Sequence, residues 1–182
     1  MLTILNNDDK YVEKYFTSLP GYYNTGDSGY RDEDGYFYIM SREDDVINTA
    51  GHRLSTGEME EILMKHEKIA EAVVIGASDE IKGEVPTAFV TIKTEYLKNY
   101  TEKEVERDAV KLVREFIGPV ASFKNCYIVP RLPKTRSGKY LRQIVRKMFN
   151  KQAYDIPSTI EDPDLVGELA SIMSQIHNRR GD

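Results

Sequence analysis

The sequence predicts an α+β fold: a small mixed β-sheet of about three strands, covered by helices and preceded by β-hairpins. Three observations point there. Apolar runs at Ala72–Gly76, Val85–Lys93 and Asn125–Val129 read as strands, the first of them buried. Two Ser/Thr-x-x-Glu patterns, Ser55 with Glu58 and Thr101 with Glu104, read as capping boxes, in which each side chain satisfies a free amide at a helix start. Asp34-Gly35 and Ala50-Gly51 separate strand-like segments, and tight hairpin turns favour residues that accept positive φ.

Taken in order, residues 30–40 form a hairpin turning at Asp34-Gly35. A tighter turn at Ala50-Gly51 joins Asp45–Asn48 to His52–Leu54. The helix begun at Ser55 carries Met59, Ile62 and Leu63 as an apolar stripe to about His66. The helix begun at Thr101 carries Val105, Ala109, Leu112, Val113 and Phe116 on one face, and Gly118-Pro119 ends it. After the third strand, Pro130–Gly138 is a loop with two prolines. A short amphipathic helix follows with Leu141, Ile144, Val145, Met148 and Phe149. Asp162-Pro163 opens a last helix with Leu165, Leu169, Ile172 and Ile176. The first 42 residues, rich in Tyr, Gly and Asp, lack this rhythm and read as the end of something larger.

With 182 residues, 40% hydrophobic and 30% charged, the chain suits one soluble globular domain, or a small domain with extra pieces at its ends. No apolar run reaches the length of a membrane helix. Met1–Lys10 is short, polar and acidic, unlike a signal or organelle-targeting peptide. Cys126 stands alone, which excludes a disulfide within the chain and a cysteine-based metal site, and its apolar neighbours make it core filler. His52, His66 and His177 lack metal-ligand spacing, so no structural metal is expected. The net charge of −5 hides an asymmetry: Arg131, Lys134, Arg136, Lys139, Arg142, Arg146, Lys147 and Lys151 occupy a stretch with no acid. Such a stretch suits either an anionic partner or a solvated helix face.

Three segments carry the chemistry. They are Tyr22-Tyr23-Asn24-Thr25-Gly26-Asp27; Ser41-Arg42-Glu43-Asp44-Asp45-Val46-Ile47-Asn48 with Gly51-His52-Arg53; and Pro133-Lys134-Thr135-Arg136-Ser137-Gly138-Lys139. In order and spacing they closely resemble the late core motifs of the superfamily of acyl-CoA synthetases, peptide-synthetase adenylation domains and beetle luciferases, from about residue 20 to residue 147. The wording resembles the short-chain, acetyl- and propionyl-CoA synthetase branch. Lys82–Pro86 and Ser158–Pro163 lean toward its propionyl-preferring mitochondrial-type member.

The resemblance implies the C-terminal portion of an AMP-forming acyl-CoA synthetase. Residues 1–42 would end a large N-terminal adenylate-forming domain, 43–45 would be the hinge, 46–150 the C-terminal lid, and 151–182 a tail with a helix. Such enzymes join a carboxylate to ATP as an acyl-adenylate and pass the acyl group to CoA, with Mg²⁺ accompanying ATP. Asp27 would accept hydrogen bonds from the ribose hydroxyls, as a fixed carboxylate does in dinucleotide folds; alternatively it stabilises a turn. Arg42 would meet the same ribose, or pair with Glu43 or Asp44 at the surface. Asp44 would be the pivot about which the lid rotates between two half-reactions.

Lys139 would reach the carboxylate and the α-phosphate, where a positioned cation offsets developing charge; Ser137-Gly138 ahead of it reads as a mobile loop that presents the lysine. The segment is not a Walker A loop, because Pro133 stands where a Gly is needed and no Ser/Thr follows Lys139. In the second pose Gly51 would line the pantetheine tunnel, Arg53 would contact the nucleotide phosphate, and Arg114 would meet the CoA nucleotide phosphate. Arg114 reads equally well as a solvated helix end. The resemblance also implies reversible acetylation of Lys139, an intracellular setting, and the chain's own N-terminal domain as partner, with neither nucleic acid nor membrane. The family's phosphate loop and acyl pocket belong upstream and are absent here, so the isolated chain is expected to be inactive. The competing readings are a basic binding module for an anionic partner and an adenylation domain that loads a carrier protein.

Overall fold

In a computed structural model, which describes residues 3–96 and 100–180, the chain divides into two units, Met1–Asp45 and Val46–Asp182. The side chains of Met40, Ser41, Asp44 and Arg180 lie outside the described set. The first unit holds α1 (Asp8–Phe16) and an antiparallel pair, β1 (Asp27–Arg31) and β2 (Phe37–Arg42), followed by a 3-10 turn at Glu43–Asp45. No residue pattern forewarns of α1: it buries none of its residues, so it has no core-facing stripe to read. It is held locally instead. Asn7 caps it by accepting the Lys10 N–H at 3.2 Å, and Asp8 and Asp9 favour its positive end.

The hairpin corrects a second expectation. Asp34-Gly35 is not a two-residue turn but part of a five-residue loop, Asp32–Tyr36. In it Asp32 donates its N–H to the Tyr36 carbonyl at 3.0 Å, and its side chain accepts the Tyr36 N–H at 2.8 Å. Only Gly35 takes a positive φ there, at 93°. No described side chain in residues 3–45 is fully buried, and Tyr22, Tyr36, Phe37 and Ile39 are each at least two-thirds exposed.

The second unit is built on one strand pair. β5 (Ile69–Asp79) and β6 (Gly83–Ile92) run antiparallel in near-continuous register from Ile69↔Ile92 to Asp79↔Gly83. Around them stand β3 (Val46–Thr49), β4 (His52–Ser55), α2 (Thr56–Met64), α3 (Glu102–Phe116), β7 (Asn125–Ile128), α4 (Arg142–Phe149) and α5 (Asp164–Arg180). The sheet is mixed, as expected, but has five strands among the described residues, in the order β4-β3-β6-β5, with β7 parallel to β6. The β3–β4 hairpin, read from sequence as separate from the sheet, joins it through the single pairing Thr49↔Gly83. Its turn matches expectation: Ala50 and Gly51 both take positive φ, 49° and 86°.

Both faces of the central pair are covered. Ala72, Val74, Ala88 and Val90 pack with α2 and α3; Val73, Ile75 and Phe89 pack with α4 and α5. A strand buried on both faces must be apolar at consecutive positions, which is why Ala72–Ile75 reads as an unbroken run. Each such Val or Ile contributes roughly 1.5–3 kcal/mol on burial. Cys126 is buried in the first core, and burial pushes its thiol up, which makes it an inert filler. Phe116, expected on the buried face of α3, is 53% exposed and lies under the Lys65 ammonium, 4.4 Å from its ring centre. The Thr101–Glu104 capping box is complete, whereas at Ser55 only half of one forms: Ser55 Oγ accepts the Glu58 N–H with no reciprocal bond.

The outer edge of β5 is a row of free backbone groups, which invites unwanted pairing unless it is blocked. Charged and amide side chains block it here. Glu60 on α2 accepts the Val74 N–H at 2.8 Å. Asn150 accepts the Ser78 N–H at 2.9 Å and donates to the Gly76 carbonyl at 3.0 Å. Glu60 and two further acids, Glu71 on β5 and Glu84 on β6, also meet the basic stretch. Arg142 forks onto both Glu60 oxygens at 3.0 and 2.8 Å, Arg146 pairs with Glu84, and Lys134 pairs with Glu71. Arg131 meets Asp162 at 2.7 Å and Glu168 at 3.6 Å. Arg131, Lys134, Arg142 and Arg146 thus meet acids within the fold, while Arg136, Lys139, Lys147 and Lys151 are exposed.

These contacts generate two tests. Arg142→Ala strands the Glu60 carboxylate in a mostly buried site and is expected to cost about 3 kcal/mol in urea unfolding, whereas exposed Lys147→Ala stays within about 0.5 kcal/mol. The second concerns the Tyr100 hydroxyl, which donates to Asp108 at 2.6 Å and holds that carboxyl below its ordinary value. A carboxyl lowered on folding adds stability above its unfolded pKa of about 3.9, and that stability is lost as pH falls through the folded value. Tyr100→Phe is therefore expected to lose about 1.5 kcal/mol at pH 7, with the gap from the parent narrowing below about pH 4.

Candidate functional site

In the first unit, the two residues expected at a ribose are cross-strand neighbours. Asp27 opens β1, Arg42 closes β2, and the pair is in register. A strict two-residue turn at Asp34-Gly35 would have given that pairing. The longer loop shifts the register by one residue, and a bulge between Ser28 and Gly29 restores it. Arg42 Nη1 lies 3.6 Å from Asp27 Oδ1, with the side chains 51% and 40% exposed. A pair so open to water contributes little to folding. Arg42 meets Asp27, not the Glu43 carboxylate that the surface reading offered it as one of two partners. The preceding turn is tightly built: Asn24 Oδ1 accepts the Gly26 N–H at 2.7 Å, Gly26 has φ 73°, and the Gly26 carbonyl accepts the Glu43 N–H at 2.8 Å. Asp44 lies in the 3-10 turn directly after β2, at the last residues of the first unit.

In the second unit, the loop Lys134–Tyr140 displays Lys139. Thr135 bonds it to itself four ways: its N–H donates to the Lys139 carbonyl at 2.8 Å, its carbonyl accepts the Gly138 N–H at 2.8 Å, its Oγ1 accepts the Lys139 N–H at 3.1 Å, and the same oxygen shares a hydrogen bond with Ser137. Gly138 takes the positive φ, 81°, that closes the turn. The expectation of a mobile loop is therefore corrected: this is a small closed turn. Lys139 is exposed, and no described side chain pairs with it, in contrast to Lys134 five residues earlier. Glu71 holds the Lys134 ammonium above its ordinary value, and that ammonium lies over the Tyr140 ring, 5.0 Å from the centre.

The remaining candidates sit elsewhere on this unit. Gly51 is at the tip of the β3–β4 turn. A Cβ placed there would meet nothing within 4 Å, so its φ of 86°, not crowding within the chain, is what calls for glycine. Its neighbour Ala50 holds a φ of 49°, a conformation costing a non-glycine residue about 1 kcal/mol or more. Arg53 is exposed on β4. Arg114, in the last turn of α3, borders a small cleft with Lys82, Gly118, Ser122 and Lys124. Lys82 donates to Ser122 Oγ at 3.0 Å. Sequence reasoning missed Lys82 and Lys124 because they lie 32 and 10 positions from Arg114 and share no motif with it; only the meeting of the β5–β6 turn with the start of β7 brings them near. No described helix is long and apolar enough to cross a membrane.

Known proteins resemble this chain in sequence and in fold. An acyl-CoA synthetase short-chain family member B, mitochondrial, from Dictyostelium discoideum is 55% identical over 92% of this chain and 24% of its own length. The human acyl-CoA synthetase short-chain family member 3, mitochondrial, is 46% identical over 93% of this chain and 24% of its own length. An acetyl-coenzyme A synthetase from Coprinopsis cinerea is 46% identical over 90% and 25%. The chain thus spans about a quarter of the length of these curated relatives. Among solved structures, an ATP-bound RpMatB-BxBclM chimera is similar at a TM-score of 0.65 and 25% identity, over 80% of this chain and 28% of that one. The amide bond synthetase McbA from Marinactinospora thermotolerans shares the fold at a TM-score of 0.61 and 24% identity, over 81% and 28%. The relatives that resemble the chain over most of its length are short-chain acyl-CoA and acetyl-CoA synthetases, and residues 58–139 belong to the AMP-binding enzyme C-terminal domain family.

Proposed function

We propose that the chain is the C-terminal part of a short-chain acyl-CoA synthetase, acting on acetate or propionate with ATP and CoA. Residues 1–42 end the large domain, 43–45 are the hinge with Asp44 as pivot, 46–150 are the lid, and 151–182 are its tail. One observation carries the reading. In a stretch where Arg131, Lys134, Arg142 and Arg146 are paired internally, Lys139 stands exposed near the tip of a closed turn, with no partner among the described side chains.

In the first half-reaction a carboxylate oxygen attacks the α-phosphorus of ATP and pyrophosphate leaves. Negative charge gathers on the phosphoryl oxygens and on the approaching carboxylate. The Lys139 ammonium, with no internal carboxylate to satisfy, offsets it. The Asp27 carboxylate accepts from the ribose hydroxyls and Arg42 holds the other side of the same sugar; Mg²⁺ travels with the nucleotide. In the second half-reaction the thiol of CoA attacks the acyl carbonyl and AMP leaves. Gly51 then borders the thiol's path, Arg53 contacts the nucleotide phosphate, and Arg114 binds the CoA nucleotide phosphate. The exposed aromatic surface of residues 3–45 supports a large domain that covers it, since a lone two-stranded hairpin is marginal in water. The reading places the protein inside the cell and implies Lys139 acetylation as a means of switching off its charge.

Two experiments on the full-length protein test this. Lys139→Ala is expected to lower ATP–pyrophosphate exchange by about 10²-fold or more while leaving thioester formation from preformed acyl-adenylate close to the parent. Retained exchange would refute the role of Lys139. Gly51→Asn keeps a residue that tolerates positive φ, so thermal stability should fall by no more than about 1 kcal/mol. The reading expects adenylation to persist and the CoA-dependent step to slow. An unchanged CoA step would remove Gly51 from the thiol's path.

A further inference from the structure

The Lys139 turn is closed by a bridge of its own and is bridged again by a segment from far along the chain. Lys134 bridges Tyr140 on the turn's own return. On the opposite edge Thr135 bridges Ile160, the Arg136 N–H donates to the Thr159 carbonyl at 3.0 Å, and the Glu161 N–H donates to the Lys134 carbonyl at 2.9 Å. Segment 134–136 is therefore occupied on both edges. The outer segment, 159–161, lies beyond residues 58–139 that match the family domain.

Two anchors hold that outer segment. Ile160 is 3% exposed, set in the core that also contains Leu132 and Leu165. Asp162 follows at once and accepts from Arg131 at 2.7 Å, so the residues just before the loop and just after the segment are tied to each other. Glu168, one turn into α5, lies 3.6 Å from the same guanidinium.

We infer that residues 159–162 are a positioning strap for Lys139: by filling the free edge of segment 134–136 they fix the direction in which the ammonium leaves the turn. None of them touches substrate, so they are positioning residues, and the inference rests on the role of Lys139 proposed above. A lysine stem is long and flexible, and a displacement of about 1 Å at a reacting group can cost about 10²-fold in rate. The strap restrains the backbone from which that stem starts. Its effect is confined to the half-reaction that uses Lys139.

The test uses the full-length protein with acetate and propionate as substrates. ATP–pyrophosphate exchange reads adenylation, and thioester formation from preformed acyl-adenylate reads transfer to CoA. Ile160→Ala empties a core position. Glu161→Pro removes one strap hydrogen bond and leaves the core side chains in place, so it stands in if Ile160→Ala fails to fold. Both are expected to lower exchange by about tenfold or more and leave transfer within about twofold, with Ile160→Val restoring most of the exchange. Equal losses in both half-reactions from Glu161→Pro, or no loss in either, would overturn the strap. Lys139→Ala, run alongside, separates the two ideas. If it abolishes exchange while the strap variants act on both steps alike, only the strap falls. If it spares exchange, the role of Lys139 falls and the strap falls with it.

Discussion

The antiparallel pair β5–β6, buried on both faces, is the constraint from which the second unit follows. Covering two faces requires helices on both sides, so the chain must cross from one layer to the other, and α4 and α5 come after α2 and α3 to cover the second. The same arrangement leaves β5 as an outer strand whose free amides need partners. Glu60 and Asn150 supply them through their side chains, and a carboxylate placed against a strand in a mostly buried position in turn requires a cation. Arg142 is that cation. The basic stretch thus has a structural origin in the sheet edge, and its composition is shaped by acids on α2, β5 and β6.

That division of labour leaves Arg136, Lys139, Lys147 and Lys151 exposed, and of these Lys139 invites comparison with a paired lysine on its own turn. Lys134 and Lys139 are of one residue type and sit at the base and near the tip of one turn, yet the first is neutralised by Glu71 and the second faces solvent. The turn itself is rigidly bonded, with Thr135 serving three neighbours and Gly138 supplying the positive φ. A rigid turn cannot bring a lysine to a distant site by flexing. The proposed delivery of Lys139 to a nucleotide therefore calls for motion of the unit as a body, which is the role proposed for the hinge at residues 43–45.

Much of the fold was legible where local rules act alone. Ala72–Ile75 announced itself because double burial forbids polar interruption; Ala50-Gly51 and the Thr101–Glu104 box did so through positive φ and capping chemistry. The failures share a cause as well. α1 has no buried stripe, β3 and β4 join the sheet through one residue pair, and the hairpin loop at Asp32–Tyr36 hides behind a plausible Asp-Gly turn. Of the site, the motifs pointed to Asp27, Arg42 and Lys139, and a hairpin centred on residues 34 and 35 suffices to pair the first two. The pairs Glu60–Arg142 and Glu84–Arg146, and the bridge joining Thr135 to Ile160, span long stretches of sequence. No local pattern encodes them; they exist only once the sheet has brought its neighbours together.

The most direct measurement is a structure of the full-length protein trapped before adenylation, with the carboxylate substrate and an ATP analogue whose α,β-bridge is a methylene group. The account predicts the Lys139 ammonium within about 3 Å of a carboxylate or α-phosphate oxygen, with segment 134–136 still paired to residues 159–161. A Lys139 directed into solvent, with another cation at the α-phosphate, would contradict it.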